Sequence, residues 1–166
     1  RAVTTTWDNW YVGRFDLHPV KGLSIKGDYS YNTFFNKQKK HGKTYSQTYP
    51  EGREPVLSGS PNNVTNYYAN NVYQALNVWA EYTRTFGKDH NMKVMAGYNQ
   101  EEKTYTSNSL KMTGLYDNNL PMTDMASDYL SNSETSTLWR VQGAFFRLNY
   151  DYDGRYLLEV NGRYDG

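Results

Sequence analysis

The sequence has no cysteine. That excludes a disulfide framework and any thiolate metal centre. It has no apolar run near the ~18 residues a membrane helix needs, which excludes helical membrane spans but leaves barrels open, because barrel strands alternate and give a weak hydropathy signal. Aliphatic bulk is scarce. Hydrophobic residues are 37% of the 166, and mean hydropathy is −0.89, too little for a large conventional core. Charge of one sign is not in excess. The net charge of +1 gives no electrostatic reason to expect nucleic acid. Neither a Gly-rich nucleotide loop nor a nucleophile elbow is present.

What the chain has is aromatic residues: 17 Tyr, 6 Phe and 4 Trp. That content argues against disorder. Tyr offers an apolar body and a polar hydroxyl, which suits a surface between oil and water. The aromatics fall into a period-2 pattern, the signature of strands. Over 23–32, Leu23, Ile25, Gly27, Tyr29 and Tyr31 oppose Ser24, Lys26, Asp28, Ser30 and Asn32. Leu76, Val78, Ala80 and Tyr82 oppose Asn77, Trp79, Glu81 and Thr83. Met92, Val94, Ala96 and Tyr98 oppose Lys93, Met95, Gly97, Asn99 and Glu101. The same split recurs over 143–152 and 156–165, and less cleanly over 7–17.

Six strands follow, with connections that alternate in length. Short turns are expected near 18–22, 87–91 and 153–154, the last an Asp-Gly hairpin signal. Long polar loops are expected over about 34–70 and 104–136. Short turns at one end and long loops at the other are the rhythm of an outer-membrane barrel. In an ordinary domain two such loops are uncommon. Phe86, Tyr150, Tyr152 and Tyr156 are expected at one aromatic rim, and Tyr29, Tyr31, Tyr98 and Tyr164 at the other. The charges of the opposite face, among them Lys26, Asp28, Glu81, Glu101, Arg147 and Glu159, need a wet lumen or a polar plug. The expected fold is therefore all-β: an antiparallel up-and-down meander forming part of a large transmembrane outer-membrane β-barrel. Six strands cannot close such a barrel, so both chain ends read as cuts in a longer protein.

Residues 143–166 end in a specific pattern: Arg147, Asn149, Tyr150, Tyr152, Arg155, Tyr156, Leu158, Arg163, Asp165 and Gly166. It resembles the signature hairpin of the SusC/RagA family of TonB-linked outer-membrane transporters, which usually continues with Ser-Ser. Phe86-Gly87-Lys88-Asp89-His90-Asn91, with Ala96-Gly97-Tyr98 and Glu101, is similar to a second family stretch. Pro19-Val20-Lys21-Gly22-Leu23, then Tyr29-Ser30-Tyr31-Asn32, is similar to a third. The resemblance implies a barrel containing a plug, and a TonB-contacting segment near the N-terminus of the whole protein. It implies import of glycans or peptides across the outer membrane of Bacteroidetes-type bacteria. It also implies a SusD-like surface lipoprotein as partner, and no enzyme activity or cofactor.

Other constellations carry less. His18, His41 and His90 have no neighbours at metal-ligand spacing. Asp151-Tyr152-Asp153-Gly154 lacks the length and closing Glu of a calcium loop and reads as a turn. Glu51 with Glu54, and Asp124 with Asp128, are acidic residues of solvated loops rather than a glycosidase pair. Lys37, Lys39, Lys40, His41 and Lys43 form a basic cluster, read as solvated loop or as a contact for anionic lipopolysaccharide. Asn63-Val64-Thr65 is a glycosylation sequon by pattern only. The loop aromatics Tyr67, Tyr68, Tyr105, Tyr116 and Tyr129, with Tyr45 and Tyr49, are the candidates for substrate contact, since rings stack on sugar faces at low entropic cost. Two alternatives stand beside the transporter: a soluble all-β carbohydrate-binding module, and a passive barrel without TonB coupling.

Overall fold

A computed structural model describes residues 1–48, 50 and 54–166; Tyr49 and Glu51 lie outside the described residues. Among the described residues there are eight strands: β1 (Ala2–Val20), β2 (Leu23–Gly42), β3 (Tyr45–Gln47), β4 (Val56–Ser58), β5 (Asn63–Phe86), β6 (His90–Leu115), β7 (Ala126–Tyr152) and β8 (Tyr156–Asp165). Six of them form one antiparallel sheet in the order β1-β2-β5-β6-β7-β8, and β3 pairs with β4 as a separate hairpin. The long strands thus follow one another as a meander, and the sheet is not closed. This matches the all-β meander expected from the alternation.

The short turns fall where Pro, Gly and Asp punctuate the sequence. Between β7 and β8 the Arg155 amide donates to the Tyr152 carbonyl at 2.9 Å. Asp153 and Gly154 take φ of 52° and 65°, the φ signature of a type I′ turn, for which Asp-Gly is suited. The Asp151 carboxylate accepts from the Gly154 amide at 2.7 Å. Pro19 is the penultimate residue of β1, just before the turn at Lys21 and Gly22.

The long loops are shorter than their composition predicts. β2 runs on to Gly42, β5 begins at Asn63, β6 continues to Leu115 and β7 begins at Ala126. The connections are residues 43–62, which hold the β3–β4 hairpin, and 116–125, which hold a 3₁₀ turn at Thr123–Met125. The stretches taken for loop are polar on both sides, so the apolar alternation fades there. Their Thr, Tyr and Val still suit a pleated strand, and a ladder solvated on both sides needs no apolar face.

Two compact units divide the chain. One comprises Arg1–Asp8, Phe34–Asn71 and Tyr105–Thr137, the other Asn9–Thr33, Val72–Thr104 and Leu138–Gly166. In the second unit, side-chain contacts separate the two faces that the alternation foretells. Tyr11 and Tyr31 lie 6.4 Å apart, the Tyr29 hydroxyl donates to Gln74, and the Tyr98 hydroxyl lies 3.1 Å from Gln142. These share a face with Leu76, Val78, Val94, Phe146 and Val160. Asn77 with Asp28, Lys93 with Glu81, and Arg163 with Asn99 meet on the other. Across β7–β8 the register pairs Phe146 with Gly162 and Leu148 with Val160 on the apolar side, and Arg147 with Asn161 on the polar side.

In the first unit the two long connections are tied by side-chain amides. Asn62 donates to the Leu115 carbonyl at 3.0 Å and accepts from its amide at 2.7 Å. Asn118 donates to the Thr44 carbonyl at 2.6 Å and accepts from its amide at 3.0 Å. Each amide side chain thus imitates one rung of a ladder. Replacing either Asn by Ala strands two backbone groups at a cost of roughly 1–3 kcal/mol where they are shielded. Hydrogen exchange at Leu115 in Asn62→Ala, and at Thr44 in Asn118→Ala, is expected to accelerate, with β7–β8 amides unchanged.

Few described residues are buried: Val64, Ala69, Ala75 and Leu115 among the apolar ones, Asn32 and Asn99 among the polar, and the glycines Gly27 and Gly143. Phe15 at 44%, Leu17 at 57%, Phe146 at 50% and Leu158 at 54% exposure show that no other element of the described residues covers this part of the apolar face.

Candidate functional site

The polar face of the second unit is a ladder of paired charges and amides. Lys93 Nζ stands 3.2 Å from Glu81. Asn77 donates to Asp28 at 2.9 Å, and the Tyr73 hydroxyl donates to Glu101 at 3.1 Å. Arg163 donates through Nε to both Asp165 oxygens at 2.8 Å and reaches Asn99 at 3.5 Å. Arg147 Nε donates to Asn161 at 2.8 Å, and Asn161 in turn donates to Glu159 at 2.6 Å. The Asn149 oxygen is buried with no partner among the described residues. Alternation dictates this face: members on one strand sit an even number of positions apart.

An apolar island interrupts the ladder. Gly97 lies between Trp79 and Phe145, and a Cβ there would stand within 2.8 Å of the Trp79 Cβ and closer still to the Phe145 ring. The glycine leaves room for the Phe145 ring over β6, beside the Trp79 Cβ. Trp10 and Tyr73 meet on the same face at 6.1 Å.

The hairpin-motif residues divide between the faces. Arg147, Asn149, Arg163 and Asp165 belong to the polar ladder. Tyr150, Tyr152 and Tyr156 stack on the apolar side near the turns: Tyr152 and Tyr156 centroids are 6.3 Å apart. His90 joins them, 2.6 Å from the Tyr150 hydroxyl and 4.8 Å from the Tyr152 ring centre. Arg155 pairs with Asp153 at 3.1 Å beside the turn. Gly166 exchanges two backbone bonds with Gln142. His90 is the participant that spacing alone did not bring out, because its partners are sixty residues away.

The five tyrosines proposed for substrate contact do not converge. Tyr67 and Tyr68 lie on β5, Tyr105 on β6 and Tyr129 on β7; only Tyr116 stands in a connection, 81% exposed. Tyr67 and Tyr105 share a 3.0 Å hydroxyl bond. Tyr68 faces away from the pair, under Lys37. Of the carboxylate pairs, Asp124 sits in the 3₁₀ turn and Asp128 accepts from Ser127 at 2.8 Å.

No family model and no curated protein sequence matches the chain. Solved structures do. The RagAB peptide transporter aligns with 99% of this chain at a TM-score of 0.81 and 15% identity. The fold is shared with part of RagAB. The RagAB peptide importer aligns over the same 99% in its closed-closed state, at a TM-score of 0.82 and 15% identity, and in its open-open state, at 0.78 and 14%. In each case the chain spans 18% of the RagAB chain's length. At this identity the likeness is one of fold.

Proposed function

We propose that the chain is a stretch of the wall of a TonB-linked outer-membrane transporter of the SusC/RagA type. The observation that carries this reading is the fold match to RagAB along nearly the whole chain, in a sheet with one apolar-aromatic and one charged face. The apolar face meets lipid, with Tyr11, Tyr29, Tyr31 and Tyr98 at one interface and His90, Tyr150, Tyr152 and Tyr156 at the other. The charged ladder lines the lumen, where water or a plug satisfies the outer lone pairs of Glu81, Glu101 and Asp165. The wall selects and conducts a peptide or an oligosaccharide and performs no covalent chemistry. A SusD-like surface lipoprotein is the partner on the side of the long connections. The TonB contact belongs to another part of the transporter.

A soluble sugar-binding module is disfavoured by the same exposed apolar face, since soluble monomers rarely leave a long contiguous apolar patch uncovered. Fractionation of cells making the full-length product tests the choice. The protein is expected in detergent-extracted outer membrane with a lipoprotein at equal stoichiometry. Recovery as a soluble species without a partner would overturn the reading.

A further inference from the structure

At the short-turn rim β5 ends with Tyr82, Arg84 and Phe86 at alternate positions, on the apolar side that also carries Leu76, Val78 and Ala80. The Arg84 guanidinium carbon lies 5.0 Å from the centre of the Phe86 ring. Its Nη1 stands 3.5 Å from the Tyr82 hydroxyl. Two aromatic neighbours on its own strand therefore seat the cation, while most of its N–H donors stay open. Arg84 enters none of the ion pairs among the described residues.

Depth puts this group at an interface. At the opposite rim the Tyr29 hydroxyl donates to Gln74. From Gln74 to Arg84, a rise of about 3.3 Å per residue and a tilt of about 40° give about 25 Å of depth, the height of the apolar band of such barrels. The neighbours on both sides belong to this chain, since β5 lies between β2 and β6. The apolar side of β2 from 23 to 31 reads Leu, Ile, Gly, Tyr, Tyr, and that of β6 from 90 to 98 reads His, Met, Val, Ala, Tyr. Neither offers a carboxylate, and His90 is engaged with the Tyr150 hydroxyl at 2.6 Å. The Gly22 carbonyl accepts from the Thr83 amide at 2.8 Å, which brings the turn holding Lys21 beside the end of β5. The two turns there add Lys21 and Lys88 against Asp89. The surroundings of Arg84 thus favour an anion that the chain does not supply.

We propose that Arg84 binds the phosphate of a glycerophospholipid of the periplasmic leaflet, whose acyl chains lie along Tyr82, Ala80 and Val78. This rests on the transporter reading above, in which this side of β5 meets lipid. The guanidinium forks onto two phosphate oxygens, and the phosphate takes the place a carboxylate would fill in an ion pair. Headgroup and chain contacts follow one another along a single strand, so one molecule makes both. A free phosphate would use the guanidinium and ignore the apolar stripe.

The test uses the full-length protein in detergent, folded as judged by its heat-modifiable gel band. It is titrated with phosphatidylglycerol carrying a photoreactive group on the headgroup, and crosslinks are mapped by peptide mass. Labelling of the peptide around Arg84 is expected to fall at least about tenfold in Arg84→Gln, from the usual worth of a hydrogen bond to a charged group. Lys26→Gln, on the polar side of β2, is expected to label like the unaltered protein. Excess plain phosphatidylglycerol is expected to remove the label, and neither the matching diacylglycerol nor millimolar inorganic phosphate should do so. Undiminished labelling in Arg84→Gln, an equal loss in Lys26→Gln, or displacement by diacylglycerol or by phosphate alone would each overturn the lipid site. With the protein confirmed in the outer membrane, these outcomes sink this inference alone. A protein absent from that membrane sinks the transporter reading with it.

Discussion

A Val78→Arg variant of the full-length protein is expected to lose roughly 2–4 kcal/mol of stability in a bilayer, the usual cost of an arginine on the lipid face at mid-depth of a barrel. Val78 sits on the apolar side of β5, between Leu76 and Ala80 and away from either aromatic rim. The side chain cannot reach an interface without dragging its guanidinium through hydrocarbon. Ser30→Arg is the counterpart. Ser30 shares the polar side of β2 with Asp28 and Asn32, so an added cation there meets water and a carboxylate, and a change within about 0.5 kcal/mol is expected. Urea unfolding in vesicles, read by tyrosine and tryptophan emission, measures both. Equal effects of the two variants would mean that the faces do not see different solvents.

Gly97→Val is expected to block assembly of the barrel or cost at least about 1–3 kcal/mol, the usual range for overpacking. The added Cβ would enter space held by Trp79 and the Phe145 ring. The Trp79 Cβ is fixed to the backbone of β5, so relief requires β6 to shift away from β5 as well as the Phe145 ring to swing aside. Phe145→Ala should rescue part of the loss, giving a coupling between the two sites in a double-mutant cycle. The fraction of heat-modifiable, folded band on a gel reports assembly for the three variants and the unaltered protein.

The strands and their two faces could be read from the sequence because alternation is local. Leu23 to Tyr31 and Leu76 to Tyr82 announce their side without knowledge of any partner. The limits of the long connections could not be read so. Asn63–Asn71 and Tyr105–Leu115 are polar on both sides, and only pairing with a neighbour shows that they continue the sheet. The site was harder still. That Tyr67 meets Tyr105, that Tyr68 turns away beneath Lys37, and that His90 joins Tyr150 and Tyr152 all depend on register, which one sequence does not encode visibly. Asn62 and Asn118 looked like loop polarity and turn out to bind backbone across the connections.

The central claim is that one face of this sheet meets lipid and the other a wet lumen. This chain has no cysteine, so a cysteine introduced into it is the one labelling site that the chain itself offers. Single cysteines would be placed in turn at residues 76–81 of the full-length protein in its native membrane, then challenged with a membrane-impermeant thiol reagent and with a lipid-phase one. The account predicts a period of two: 77, 79 and 81 labelled from water, 76, 78 and 80 from lipid. Uniform labelling by the aqueous reagent at all six positions would contradict it.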